Sequence, residues 1–262
     1  MQLSISNIAW EAVNDVYIYK IMQKIGFLGL EIAPTRIFAK NPYENINAAK
    51  NWAKTIKSEY GFSVPSMQSI WYGKKENIFA SDDDRLKLIS YTKKAIDFAS
   101  SIGCSNLVFG CPKNRSISTG NDKSVAVSFF KELGDYALVK HTVLAMEANP
   151  PIYNTNYINT TLEAIELIKE VNSNGFKLNL DIGTMIYNNE DISALNEYIK
   201  LINHVHISEP GLKVIEKRPI HKKLAALLKN NNYNGFVSIE MGKQENIENI
   251  RQTCEYVKEI FA

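Results

Sequence analysis

The sequence predicts one (β/α)8 barrel over residues 1–262, and three observations carry this prediction. Helical and strand-like hydrophobic periods alternate along the chain and give eight strand–helix units, the number and size expected for about 250 residues of this fold. The strand segments are nearly continuous apolar runs, which is typical of parallel strands covered on both faces. Predicted helix-to-strand connections are short and several strand-to-helix connections are long, as in barrels whose C-terminal face carries function.

The first half of the chain contains four of these units. An opening strand is followed by a helix over VYIYKIMQKI that ends at Gly26, and the next strand is FLGLEI. A helix over roughly 44–59 precedes the strand FSVPSMQSI. The following helix begins at Ser81, where Asp84 completes an SxxD capping pattern, and it extends to Gly103 before the strand NLVFG.

The second half repeats the alternation. Its predicted helices lie near 122–138, 158–172, 190–200, 220–230 and 244–260, between strands in VLAMEAN, FKLNLDIG, HVHISEP and FVSIEMG. No change of composition marks a domain boundary, so a single domain is expected. An open doubly wound sheet is the competing architecture, and it is disfavoured because the first strand-to-helix turn, SNIAWEAVND, lacks a GxGxxG pattern.

Composition narrows the classes of partner. The net charge is +2 from 30 basic and 28 acidic side chains, without a long basic stripe, so nucleic acid is not an expected partner. The three cysteines show no CxxC pairing, which favours a reduced protein. No segment approaches the ~18 apolar residues of a membrane span or has the pattern of a secretion signal, so no membrane partner and a cytoplasmic location are predicted. The sequence leaves open whether the chain forms a homo-oligomer.

Four metal-competent side chains end the last four predicted strands: Glu147, Asp181, His206 and Glu240. In a barrel, these strand ends meet at one face. Three converging carboxylates would repel one another, and a divalent cation removes that conflict. An oxygen-rich set with one nitrogen and no thiolate suits manganese, our first expectation, and also magnesium, cobalt or a non-structural zinc.

This metal-site prediction depends on the joint pattern, because a single acidic residue at a strand end is most often a loop-facing charge or a helix cap. His204 and His206 lie two residues apart and therefore point to the same face of their strand. We expect His206 to be the ligand and His204 to lie deeper, as a core residue or a support for a ligand.

The chain resembles the sugar phosphate isomerase/epimerase superfamily of xylose-isomerase-like barrels, in the segments LVFGCPKNR, LAMEANPPIYNTNYINTTLEAIELIKEVNS, LDIGTM, HVHISEP, RPIHKKL and GFVSIEM. The resemblance is strongest to ketose 3-epimerases of the D-tagatose 3-epimerase type. It covers essentially the whole chain and is most specific over roughly 104–241. It implies that one divalent ion is held by Glu147, Asp181, His206 and Glu240.

The resemblance also implies an activity. A metal-bound ketose would lose a proton next to its carbonyl and form an enediolate, with Glu147 and Glu240 as the catalytic acid–base pair. Return of a proton to the same carbon from the far side is epimerisation, and return to the adjacent carbon is aldose–ketose isomerisation. The sequence leaves open which glutamate is the base. The alternatives are an inosose-type dehydratase of a keto-polyol and a sugar-binding barrel without turnover.

Candidate substrate contacts follow from matched positions. Arg218 and His221, in RPIH after the seventh strand, match a position where a basic residue contacts substrate oxygens, although a surface ion pair is the alternative for both. Glu209, three residues after His206, is expected to orient that histidine or a neighbouring group.

Thr184 departs from the pattern, since many relatives carry a histidine three residues after the aspartate ligand. A threonine can hydrogen-bond a sugar hydroxyl but cannot act as a cation. This departure, together with a total of four histidines, argues against the trinuclear zinc endonucleases of the superfamily.

Four more residues lie at the ends of earlier strands or in the loops after them: Glu31, Gln68, Trp71 and Lys113. Trp71 is a candidate apolar wall for a sugar ring, with core packing as the alternative, and Lys113 is either a pocket residue or a solvated charge. A phosphorylated substrate also stays open, because four basic residues follow strands seven and eight: Lys213, Lys217, Arg218 and Lys243.

Overall fold

Eight parallel strands form one sheet in the computed structural model, which describes residues 1–118, 120 and 122–262. The strands are β1 Gln2–Ser6, β2 Gly29–Glu31, β3 Ser66–Met67, β4 Asn106–Phe109, β5 Val143–Met146, β6 Phe176–Asp181, β7 Ile202–Ile207 and β8 Phe236–Ile239. Their order is β2-β1-β8-β7-β6-β5-β4-β3. Parallel bridges join Gly29 to Ser63 and Ile32 to Met67, so the two outer strands also meet. The predicted barrel is confirmed.

Helices connect consecutive strands on the outside of the barrel. They are α1 Asp15–Ile25, α2 Pro34–Ile37, α3 Ile46–Tyr60, α4 Asp82–Ser101, α5 Ser124–Val139, α6 Thr161–Val171, α7 Ile182–Asn188, α8 Pro219–Asn230 and α9 Ile247–Phe261. Two helix ends predicted from the sequence are confirmed. Gly26 ends α1 in the left-handed conformation at φ 97°, and the Ser81 side chain caps α4 by accepting a hydrogen bond from Asp84 N.

The predicted helix over 190–200 is wrong. This segment forms two short 3-10 helices, Ile192–Leu195 and Ile199–Leu201, and the α-helix of the sixth unit is α7, directly after β6. The reason is local capping: the Asp181 carboxylate accepts from Thr184 N and starts α7 early, and the Asp191 carboxylate accepts from Ser193 N and holds a turn. The strand in FSVPSMQSI is also shorter than predicted, because Pro65 cannot donate to a ladder.

The two faces of the strands differ in chemistry. Leu178, Leu180 and Val205 belong to the apolar core that packs under the helices. The alternate positions Asn179 and His204 are paired in register, and their polar side chains are buried inside the barrel. The two-residue period of the strands therefore directs the polar side chains of β6 and β7 into the barrel. The last of these side chains lie at the C-terminal face of the barrel.

Within the described part of the chain, no helix is both long and apolar enough to cross a membrane.

Candidate metal centre and cavity

The four predicted metal ligands converge at the C-terminal ends of β5 to β8. Glu147, Asp181, His206 and Glu240 each place one ligand atom within 4.8 Å of the others. His206 Nδ1 lies 2.9 Å from Glu147 Oε1 and 3.2 Å from Glu240 Oε2. His206 is fully buried, and each of the two glutamates is 7% exposed, so the cluster is largely removed from water.

The donor set fits a divalent cation. His206 Nδ1 is buried and has no hydrogen-bond partner among the described residues, because its approaches to the two carboxylates lack hydrogen-bond geometry. Burial first, and then the charge of Glu147, raise the pKa of Asp181 to about 6. Burial also raises the pKa of Glu240 to about 7, although the His206 ring opposes this shift. A cation at this point would relieve the repulsion and use the free nitrogen.

Glu31 holds the other nitrogen of the His206 ring. Its Oε2 lies 3.0 Å from His206 Nε2 and 2.9 Å from His204 Nε2. Gln68 Nε2 donates to Glu31 Oε1 at 3.2 Å. Burial alone would raise the pKa of Glu31, but the two histidines outweigh burial and lower it. The Glu31 carboxylate on Nε2 directs Nδ1 toward the cluster, the arrangement usual for metal-binding histidines. The surrounding carboxylates outweigh burial and raise the pKa of the metal-free ring, so a metal would replace the Nδ1 proton.

Amide and hydroxyl donors hold two of the carboxylates. Glu147 Oε1 accepts from Asn179 Nδ2 at 2.7 Å, and Glu147 Oε2 accepts from Asn149 Nδ2 at 3.2 Å. Asp181 accepts from Thr184 N at 2.6 Å and from the Ser208 hydroxyl. These donors orient the carboxylates toward one point.

A cavity of about 150 Å³ opens beside the cluster. Its lining residues are Gln68, Ser69, Val108, Gly110, Cys111, Pro112, Glu147, Asn149, Tyr153, Asp181, Ser208, Leu212 and Glu240. The backbone at Gly110 lies close to the side chains of Glu147 and Asn149. A Cβ at this position would lie 2.9 Å from Glu147 Oε2 and 3.3 Å from Asn149 Oδ1, which favours glycine. A concave site with convergent polar groups is typical of small-molecule binding.

Hydrogen bonds join the loops that follow β5, β7 and β8 beside this cavity. The Tyr153 hydroxyl, after β5, accepts from Gly211 N, after β7, at 2.8 Å. Leu212 O accepts from Gly242 N, after β8, at 2.7 Å. Leu212, with φ 54°, and two other lining residues, Ser69 at 54° and Cys111 at 42°, have left-handed backbones. Such strained conformations are concentrated at functional sites.

Arg218, Glu209 and His221 do not line the cavity. Arg218 Nε and Nη2 donate to the two carboxylate oxygens of Glu209 at 2.7 and 2.8 Å, and Glu209 is only 2% exposed. His221 is fully buried with Nδ1 2.9 Å from the Tyr256 hydroxyl, and burial lowers its pKa to about 4.

The other three predicted substrate contacts also lie outside the cavity lining. Trp71 is buried, donates from Nε1 to Thr92 Oγ1 at 2.8 Å and packs edge-on against Phe109. Thr184 donates from Oγ1 to Ala148 O at 2.8 Å, and Lys113 is exposed. The predicted contacts of all six side chains with a substrate stay predictions.

Some cavity and support residues were not predicted from the sequence. Asn149, Asn179 and Ser208 each lie two residues from a predicted ligand, so the strand period could have found them. Tyr153 and Leu212 come from irregular loops and carry no periodic signal.

Comparisons with known proteins agree with this architecture. Residues 19–260 match the model of the family described as xylose isomerase-like TIM barrel. Similar solved structures include 3-keto-D-glucoside 4-epimerase from E. coli, with 19% identity, a TM-score of 0.79 and 99% of each chain covered. D-psicose 3-epimerase from Clostridium cellulolyticum H10, solved with D-tagatose, has 17% identity, a TM-score of 0.77 and coverage of 100% of this chain and 99% of that one.

A third similar structure is an AP endonuclease, family 2, from Brucella melitensis, with 17% identity, a TM-score of 0.73 and coverage of 100% of this chain and 97% of that one. No curated protein matches the sequence significantly. At these identities, the structural neighbours show the fold.

Proposed function

Because the chain belongs to the xylose isomerase-like TIM barrel family, we propose that it is a divalent-metal-dependent isomerase or epimerase of a small sugar or sugar derivative. The solved structures it resembles include epimerases whose names specify a keto-glycoside and ketoses. This likeness and the carboxylate cluster together support the proposal.

The observation that carries the proposal is the placement of two glutamates beside one unpaired imidazole nitrogen. Glu147 directly follows β5 and Glu240 directly follows β8, and their carboxylates approach His206 Nδ1 at 2.9 and 3.2 Å. A substrate carbon lying between the two carboxylates can lose a proton to one and receive a proton from the other. This exchange inverts the carbon or moves the carbonyl, depending on where the proton returns.

The metal and the glutamates have separate roles in this proposal. Held by Glu147, Asp181, His206 and Glu240, a divalent ion, with Mn²⁺ as our first choice, would polarise the substrate carbonyl and stabilise the enediolate charge. In the metal-free protein, burial raises the pKa of Glu240 to about 7. A bound cation would favour the ionised carboxylate, which is the form that accepts a substrate proton. Asn149 and Asn179 hold Glu147 in a fixed orientation by hydrogen bonds to its two oxygens.

We propose further that the substrate carries no phosphate. Among the described residues, no lysine or arginine lines the cavity, while three carboxylates do. Three of the four basic residues that suggested phosphate binding have other partners: Lys243 pairs with Glu11 at 2.6 Å, Arg218 pairs with Glu209 at 2.7 Å, and the Lys217 ammonium lies 5.6 Å from the Tyr256 ring centre. A phosphate dianion would meet like charge here without a basic partner.

The proposal is tested by incubation of the protein with Mn²⁺ in D₂O. Ketoses, keto-glycosides, keto-inositols and ketose phosphates are supplied separately, and the products are followed by NMR and mass spectrometry. We expect deuterium at the carbon next to the carbonyl of an unphosphorylated substrate, with loss of exchange in Glu147→Gln, in Glu240→Gln and after chelation of the metal. Glu197→Gln, at an exposed glutamate, is the matched control.

Unchanged exchange in both glutamate variants would exclude the proposed chemistry. A product lighter by one water would assign a dehydratase instead. Tight binding of a sugar without exchange would assign a binding protein.

A further inference from the structure

The guanidinium of Arg115 is buried without an acidic partner beside the candidate metal centre. Arg115 ends the short 3-10 helix Pro112–Arg115 after β4, and its side chain is fully buried. It forms no ion pair with any described residue, and its Nε has no hydrogen-bond partner among them. Burial of a cation without an acidic partner costs desolvation free energy, which indicates that Arg115 has a role at this position.

Arg115 is charged and is directed at the segment that carries Glu147. Burial lowers the pKa of Arg115 to about 10, which still leaves the guanidinium protonated at neutral pH. Nη2 donates to Glu147 O at 3.1 Å and to Asn149 Oδ1 at 2.7 Å, and Nη1 approaches Met146 Sδ at 3.5 Å. The cation thus lies behind Glu147, whose negative charge partly offsets the cost of burial.

These contacts decide which end of the Asn149 amide faces Glu147. A guanidinium only donates hydrogen bonds, so it selects the amide oxygen Oδ1 and turns Nδ2 the other way. Nδ2 then donates to Glu147 Oε2 at 3.2 Å. The Asn149 backbone is also held, because its N donates to Ile158 O at 3.1 Å and its O accepts from Asn159 Nδ2 at 2.8 Å. A flipped amide would place its oxygen against the carboxylate.

Glu240 has no comparable support. Within the described residues, no side-chain amide donates to its carboxylate, and His206 Nδ1 is its near polar neighbour at 3.2 Å. The two glutamates of the proposed acid–base pair therefore differ: one is oriented by a relay, and the other is not.

We infer that Arg115 and Asn149 form a relay of positioning residues that orients the Glu147 carboxylate toward the metal and the substrate. Neither residue transfers a proton in this reaction. The inference rests on the proposed function for what Glu147 does, whereas the relay itself is a matter of geometry that can be tested separately.

The first measurement needs no metal. Crystal structures of Arg115→Met and of the wild type are compared, and we expect the Asn149 amide in the variant to leave Glu147 Oε2. Retention of the Asn149–Glu147 contact at its wild-type distance would overturn the relay. If Arg115→Met does not fold, Asn149→Ala replaces it, and an unmoved Glu147 carboxylate in that variant has the same consequence.

The second measurement is Mn²⁺ affinity by calorimetry. We expect Arg115→Met and Asn149→Ala each to weaken Mn²⁺ binding about 10-fold. The double variant should lose no more affinity than the single variant with the larger loss, since both residues act through one contact. Arg36→Met is the matched control, because Arg36 is a largely buried arginine that pairs with Asp15 at 2.6 Å and does not contact the four candidate ligands. Wild-type affinity in both relay variants, or fully additive losses, would contradict the relay.

Turnover separates positioning from general damage. With a substrate identified, we expect kcat to fall by about 10- to 100-fold while KM stays near the wild-type value, because a misdirected carboxylate impairs proton transfer more than binding. A rise in KM alone would overturn the assignment. Absence of Mn²⁺ binding by the wild type would instead refute the proposed function, and the crystal structures would still decide the relay.

Discussion

Glu31 Oε2 lies 3.0 Å from His206 Nε2, on the side of the ring opposite the nitrogen that faces the carboxylate cluster. Glu31 comes from the end of β2 and His206 from β7, and both side chains are fully buried. The contact crosses the barrel interior and sets the orientation of the imidazole. One buried carboxylate thereby directs the Nδ1 of a candidate metal ligand toward the cluster.

Glu31→Gln is predicted to weaken Mn²⁺ binding by about 10-fold, because the neutral amide loses the charge that favours a donating Nε2 and a free Nδ1. Calorimetric titration with Mn²⁺ measures the loss. Gln68→Ala, which removes a hydrogen bond to the other Glu31 oxygen, should have a smaller effect. Equal affinity in Glu31→Gln, Glu31→Ala and the wild type would show that the contact does not prepare the ligand.

The metal-free protein is predicted to lose stability as the pH rises from about 5 to 8. Asp181 and Glu240 have folded-state pKa values raised to about 6 and 7, so their stabilising contribution is complete below their ordinary values and is lost as they ionise in the fold. The raised pKa of His206 acts in the same direction at the upper end of this window. Glu31, whose pKa is lowered, contributes stability that is lost only at pH values below this range.

Thermal melts in EDTA at pH 5.5 and 8 test this, and the Tm should be lower at pH 8. Added Mn²⁺ should raise the Tm more at pH 8 than at pH 5.5, because protons compete with the metal for the same carboxylates. Glu240→Gln should flatten the pH dependence in EDTA. A metal-free Tm that rises toward pH 8 would contradict the assignment of these carboxylates.

Gly110→Ala is predicted to lower activity without a comparable loss of stability. The added Cβ would lie 2.9 Å from Glu147 Oε2, and this carboxylate cannot move without breaking its hydrogen bonds to Asn149 and Asn179. A displacement of about 1 Å at a catalytic group can reduce the rate by about 100-fold. Turnover and Tm are measured together, and wild-type turnover would mean that Glu147 tolerates the shift.

Arg218→Met is predicted to destabilise the protein by about 2 kcal/mol, because it leaves the buried Glu209 carboxylate without its bidentate partner. Chemical denaturation of this variant and of Arg218→Met/Glu209→Gln measures the coupling, and the double variant should recover part of the loss. Measurement of KM for the Arg218→Met variant tests the contact between Arg218 and the substrate that the sequence predicted. A raised KM at unchanged stability would assign Arg218 to the substrate rather than to Glu209.

The barrel and its candidate ligands were predictable because both depend on short-range patterns. Asp181 and His206 end apolar strands, and parallel strands of a barrel bring their ends to one face whatever the loops do. The helix at 190–200 was wrongly predicted because periodicity ignores side-chain capping, and the Asp181 carboxylate that starts α7 also belongs to the candidate metal cluster.

The sequence by itself determined the fold class, the barrel face that carries the candidate site and the residue types of the candidate ligands, since these follow from hydrophobic period and strand ends. Only the tertiary structure decided which groups support the ligands: Glu31 on His206 across the barrel, and Arg115 through Asn149 on Glu147. It also paired Arg218 with Glu209 and left the cavity without a lining cation among the described residues. These contacts join residues far apart in the chain, and their distances depend on loop paths and barrel register, which no local pattern encodes.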